Sequence, residues 1–280
     1  MRYEPAPADI ASGLALAATY TREVHAGIDR IWENVLDWEH LPSLHEIYFN
    51  RVALIDIGSW GWRVELTKVP GTADRRMLLE LQIDRAKLRY RVRTLAGDGT
   101  GTEIWTLLEV LGPHWTAIEV LFYLAEDRPE RLTALGKKYR SSYARLWDQD
   151  EAMMVRREAL STRSRAQSEG SGASLSLGPL SELRPRLPLL VVFDGEPFRI
   201  LDLDGALVAH STICPHWLGP LEEAIPEDGI LRCPWHGYLF DLRTGASADG
   251  RGCRLAPAPC IIVDPATHEV TLASRDISPG

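Results

Sequence analysis

Four residues in the last third of the chain constrain it more than anything else in the sequence. Cys214-Pro-His216 is followed, after a gap of about sixteen residues, by Cys233-Pro-Trp-His236. Each loop offers one thiolate and one imidazole, and the Cys-x-His and Cys-x-x-His spacings let a single turn aim both at one metal centre. Pro215 and Pro234 stiffen these turns, while Gly219 and Gly237 relieve the backbone beside them. The surrounding residues, 180–280, read as short strands and Pro/Gly turns without a convincing helix, so a small all-β domain is expected there. A Cys₂His₂ set alone would suit tetrahedral zinc. A zinc site, however, does not need two near-symmetric loops with Gly-Pro-Leu after one and Gly-Tyr-x-Phe-Asp after the other.

In full, the loops read CPHWLGPL over Cys214–Leu221 and CPWHGYLFDLRTG over Cys233–Gly245. Over residues 180–275 the pattern resembles the Rieske family, whose 2Fe–2S cluster carries two Cys on one iron and two His on the other. The resemblance implies Cys214 and Cys233 on one iron, and His216 and His236 on the second. High-potential members carry an extra Cys in each loop, joined in a disulfide, where this chain has Gly219 and Trp235. They also place a cluster-bonding hydroxyl where this chain has Tyr238. Fewer donors to the sulfides imply a potential at the lower end of the Rieske range, as in the ferredoxin and oxygenase branch. Cys253 and Cys260 fall outside the loops and read as buried or idle thiols.

Residues 161–179 are rich in Ser and Gly and read as a linker. They divide the chain into residues 1–160 and residues 180–280, each long enough for its own core. The first part begins with a strand-like stretch at Thr19–His25, followed by a helical pattern from Asp29 with Ile31, Trp32, Val35 and Leu36 on one face. Six β-like runs come next, then a helix from Pro129 to about Ala159 with one break. Strand, helix, antiparallel meander and long closing helix make an α+β helix-grip layout of START/Bet v 1 type, a curved sheet holding a helix over an apolar cavity. Trp60, Trp62, Trp105, Trp115 and Phe122 are candidates to line that cavity.

A second constellation lies in this half, in the string NVLDWEHLPSLH at residues 34–45. Asn34, Asp37 and His40 are three apart and are expected on one helix face. Pro42 is expected to bend or end that helix, so that His45 swings back toward His40 from the next turn. Two imidazoles with one carboxylate from another element make the facial triad of non-haem Fe(II) oxygenases. In the closing helix, Tyr143, Trp147, Asp150 and Met154 fall on one stripe, so Asp150 is an acid among apolar side chains. A carboxylate there is costly unless paired or metal-bound. Beside the Rieske pattern, this set resembles the catalytic domain of Rieske ring-hydroxylating oxygenases. The resemblance implies His40, His45 and Asp150 as ligands of a mononuclear Fe(II). Asp37 would carry the electron from a Rieske histidine, His236 of a neighbouring subunit, and Asn34 would lie near the iron as a non-ligand. The family normally places its Rieske domain first, and here the order is reversed.

The implied function is O₂-dependent hydroxylation of a mostly apolar small molecule, with electrons arriving from a separate reductase or ferredoxin through the 2Fe–2S cluster. A homo-oligomer, a trimer by resemblance, is implied too. The competing reading is a Rieske electron carrier fused to a non-catalytic domain for hydrophobic ligands. Composition narrows the remainder. A net charge of −8 gives no electrostatic footprint for nucleic acid or an anionic membrane. No apolar run approaches the ~20 residues that cross a bilayer. Four cysteines are too few for a disulfide scaffold, so the cytoplasm is the expected compartment.

Overall fold

The computed structural model describes residues 9–69, 76–162 and 173–274. The chain forms two compact units, Met1–Glu158 and Ala159–Gly280. The first is built on seven strands: β1 (Ala15–Val24), β2 (Phe49–Gly58), β3 (Gly61–Lys68), β4 (Arg76–Asp84), β5 (Arg89–Gly97), β6 (Glu103–Gly112) and β7 (Trp115–Leu124). They pair in the order β1-β7-β6-β5-β4-β3-β2, all antiparallel. Among the described residues three α-helices accompany them: α1 (Ile28–Leu36), α2 (Leu41–Leu44) and α3 (Pro129–Ser161). The α3 helix runs unbroken for 33 residues.

The core of this unit joins Ile31, Trp32 and Val35 of α1 to Val64, Leu66, Ile104, Leu108, Ile118 and Phe122 of the sheet, and to Trp147 and Met154 of α3. Strand alternation sorts the aromatics proposed as cavity lining. Trp62 and Phe122 belong to this core. Trp105 does not: with Leu107, Leu121 and Tyr123 it forms a separate cluster, because it alternates with the inward Ile104 and Thr106. Trp115 is 43% exposed at the start of β7, and Trp60 lies beneath the Arg63 guanidinium.

The ligand-bearing segment differs from the expected helix. The α1 helix ends at Leu36, and Asp37 is extended at its C-cap. The Asp37 carboxylate accepts the Glu39 N–H at 3.2 Å, a local bond that competes with helix continuation. Pro42 therefore neither bends nor ends α1. It sits in the first turn of α2, where its missing N–H costs nothing. His40 and His45 are the N-cap and C-cap of that short helix, which is how residues five apart come to face one another.

The docking of α3 onto β1 depends on one glycine. Ala17 lies at an irregularity in the β1–β7 register, and a Cβ on Gly136 would stand 2.2 Å from the Ala17 carbonyl oxygen. Alanine normally favours a helix over glycine by about 1 kcal/mol. Here Gly136→Ala should instead destabilise the unit, by about 1–3 kcal/mol from overpacking. Chemical denaturation monitored by Trp fluorescence reads the sign directly.

The described residues of the second unit form three small sheets. Strands β9 (Leu189–Phe193), β10 (Glu196–Leu203) and β11 (Ala206–Ser211) pair in the order β11-β10-β9. A hairpin joins β12 (Ile230–Arg232) to β13 (Leu239–Asp241). The third sheet has the order β14-β15-β8, from β8 (Ser174–Pro179), β14 (Cys260–Val263) and β15 (Glu269–Ala273). Two features depart from the sequence reading. Ser174–Pro179, counted with the linker, is a strand whose Leu175 and Leu177 pack on Phe193, Phe198, Ile200 and Leu272. A helical turn, α4 (Leu180–Leu183), follows it in a region read as helix-free. Residues 163–172 of the expected linker lie outside the described residues. Among the described residues no helix is long and apolar enough to cross a membrane.

Candidate metal centres

In the first unit His40, His45 and Asp150 each present a ligand atom, all within 4.8 Å of one another, and all three residues are buried. His45 Nε2 lies 3.1 Å and His40 Nε2 3.6 Å from the same oxygen, Asp150 Oδ1. The two imidazoles meet edge to face, with centroids 5.0 Å apart. A further layer of side chains fixes their orientation. His45 Nδ1 bonds Gln149 Oε1 at 2.9 Å, and Gln149 Nε2 donates to the Leu44 carbonyl at 2.8 Å. His40 Nδ1 is 3.3 Å from Asp37 Oδ2. Asn34 Nδ2 donates to Asp150 Oδ1 at 3.2 Å. Both rings thus present Nε2 to the same point while Nδ1 faces a protein acceptor.

Burial opposes ionisation of Asp150, but His45, His40 and the Asn34 amide together hold its carboxyl below the ordinary range. The acids beside it have other partners. Asp148 is largely exposed and pairs with Arg22, and Glu151 is engaged by His25 and Arg22. Further inside the grip, burial raises the phenol pKa values of Tyr90 and Tyr143.

In the second unit the two Cys-His loops share one backbone design. Cys214 N–H donates to the Gly219 carbonyl, and Cys233 N–H donates to that of Tyr238. The Leu218 N–H returns to Cys214 O, and the Gly237 N–H to Cys233 O. Each tight loop needs a left-handed residue four positions after its cysteine. Gly237 supplies one (φ 69°), while in the first loop it is Leu218 (φ 62°), not the neighbouring glycine. Gly219 matters for space: a Cβ there would stand 2.8 Å from Cys233 Sγ and 3.2 Å from the Trp235 ring. The two loops bring Cys214 and Cys233 together, both 1% exposed. The His216 and His236 rings stand perpendicular with centroids 4.5 Å apart.

Comparison with known proteins agrees with this geometry: the family described as "Rieske [2Fe-2S] domain" matches residues 174–258. The second unit is a Rieske domain. It is 34% identical over 70 residues to the anthranilate 1,2-dioxygenase ferredoxin subunit of Burkholderia cepacia, covering 25% of this chain and 65% of that protein. It is 47% identical over 38 residues to the oxygenase component of dicamba O-demethylase of Stenotrophomonas maltophilia, covering 14% of this chain and 11% of that protein. The chain thus spans less than two thirds of each of these relatives. The first unit is similar to the solved aromatase/cyclase Zhui of Streptomyces sp. R1128, at 15% identity and TM-score 0.42 over 50% of this chain and 94% of that one.

The donor set of the Rieske domain fits a 2Fe–2S cluster. Neither cysteine is in a disulfide. The Cys214 thiol pKa is pushed up, first by its hydrogen bond with Cys233 and then by burial. A buried Cys214 thiol so placed stays protonated unless a cation neutralises it, and one imidazole from each loop, His216 and His236, completes the ligand set. The sequence did not reveal Gln149 as the partner of His45, although it immediately precedes Asp150. Nor did it reveal that Leu218 supplies the strained turn, because a left-handed leucine has no sequence signature.

Proposed function

We propose that the chain is a Rieske non-haem iron oxygenase: an oxidoreductase that hydroxylates a mostly apolar small molecule with O₂. The observation that carries this reading is the convergence of His40, His45 and Asp150 from separate elements on one buried point. This donor set suits Fe(II) and leaves coordination positions open. With both groups bound, the Rieske cluster would supply electrons and the mononuclear iron would bind and activate dioxygen.

The chain's own residues have separate tasks in this scheme. Gln149 and Asp37 hold the two imidazoles in the tautomer that leaves Nε2 free to ligate. Asn34 steadies the Asp150 carboxylate without ligating. Asp37, on the side of His40 away from Asp150, is the proposed entry point for the electron, delivered by His236 of a neighbouring copy in an oligomer. The aromatic interior of the grip would exclude water and favour an apolar substrate. A separate reductase or ferredoxin in the cytoplasm would reduce the cluster.

One observation favours a second reading. The 70-residue similarity is to a ferredoxin subunit, which fits a Rieske electron carrier with a non-catalytic ligand-binding domain. Dioxygen uptake driven by a chemical reductant separates the two. The oxygenase reading expects uptake that falls at least about tenfold when cluster-loaded protein is stripped of loosely held iron, and that recovers with added Fe(II). Uptake indifferent to Fe(II) would favour the carrier.

A further inference from the structure

The two histidines of the Rieske domain are linked by one side chain outside both loops. His216 is stacked on the Tyr238 ring, with centroids 4.1 Å apart and an interplanar angle of 15°. The Arg251 guanidinium carbon lies 4.3 Å from the centroid of that same ring. Two groups so close to one centroid cannot share a face, so Arg251 covers the side of Tyr238 opposite His216. Arg251 Nη1 also donates to the backbone carbonyl of His236 at 3.2 Å. Its guanidinium is held by Asp249, with Nε 3.4 Å from Oδ2. Asp249 is itself fixed by the Leu239 and Arg251 N–H groups and the Ser247 hydroxyl. A cation is thus layered through an aromatic ring onto one histidine and hydrogen-bonded to the backbone of the other.

We propose that Arg251 is a positioning residue that sets the reduction potential of the Rieske cluster. Reduction adds one negative charge to the cluster. A cation held a ring's thickness beyond His216 stabilises that charge, with the Tyr238 ring rather than water between them. Arg251 therefore raises the potential, in a domain whose loop cysteines are in no disulfide. The planar guanidinium matters as well as its charge, because only a fork can lie flat on Tyr238 while donating to His236. The inference rests on the cluster alone and is independent of the oxygenase reading.

The test is a redox titration of the full chain, followed by the cluster's absorbance and its electron paramagnetic resonance. Iron and sulfide are measured in each variant, so that loss of the cluster is not mistaken for a shift in potential. At the wild-type midpoint, Arg251→Gln should lower the ratio of reduced to oxidised cluster about tenfold, equivalent to about 59 mV for one electron. Arg251→Lys, which keeps the charge but not the stack, should lower it about threefold. In a Tyr238→Leu background the Arg251→Gln effect should shrink to less than about threefold. A cluster-loaded Arg251→Gln protein within about twofold of wild type would overturn the proposal. If that variant assembles no cluster, Arg251→Lys decides: the threefold fall supports the proposal and an unchanged ratio overturns it.

Discussion

Asp150→Ala should deprive the protein of the mononuclear iron proposed for its first unit and leave the cluster untouched. Asp150 Oδ1 is the one atom that both imidazoles approach, at 3.1 and 3.6 Å. Without it the site offers two neutral donors and no charge to balance a dication. Fe(II) affinity should fall by more than the 10–100-fold typical of losing an outer hydrogen-bond partner, and Fe(II)-dependent dioxygen uptake should fall with it. The visible spectrum of the cluster should not change, because its four ligands belong to the other unit. Gln149→Ala should give the intermediate result, weakening Fe(II) about 10–100-fold by releasing the His45 ring. Asp148→Ala is the control. That carboxylate is 65% exposed, so its loss should change stability by no more than about 1 kcal/mol and leave Fe(II) affinity as it was. Equal Fe(II) affinity in the wild-type and Asp150→Ala proteins would remove the triad from the account.

The second large effect belongs to Gly219. Its φ is not in the left-handed region, so alanine meets no conformational penalty there, only a steric one. The added methyl would press on Cys233 Sγ at 2.8 Å and on the Trp235 ring at 3.2 Å, both buried. The sulfur is a proposed cluster ligand and the indole is packed, so neither can yield without moving the second loop. Gly219→Ala should therefore lower cluster occupancy several-fold and destabilise the Rieske domain, since metal binding in a small domain is also folding free energy. Cys233→Ser should abolish the cluster outright. Absorbance of the purified variants, read with acid-labile sulfide, measures both. A Gly219→Ala protein with full sulfide would show that the loops tolerate a displacement the geometry forbids.

What was legible in the sequence, and what was not, follows from the range of the interactions involved. The Cys-His loops could be read because their spacing is local: a few residues fix each turn, and the ligands lie within it. Alternation placed the seven strands of the first unit to within a few residues, since most are buried on at least one face. It does not say which face is inside, so Trp105 and Trp115 remain candidates for the cavity lining on sequence and lie elsewhere in the fold. The break after Leu36 was misplaced because an Asp37 side-chain bond outcompetes the helix five residues before Pro42. By composition Ser174–Pro179 belongs with the linker, although its Ser-Leu-Ser-Leu alternation is that of a strand. The pairing of His45 with Gln149, and of Ala17 with Gly136, spans more than a hundred residues, and no local pattern encodes either.

The most direct test of the central claim, a cluster and a separate mononuclear iron in one chain, is the iron and acid-labile sulfide content of anaerobically purified protein. About three irons and two sulfides per chain are expected. About two of each, unchanged after Fe(II) is supplied, would contradict it and leave a Rieske electron carrier with an iron-free first domain.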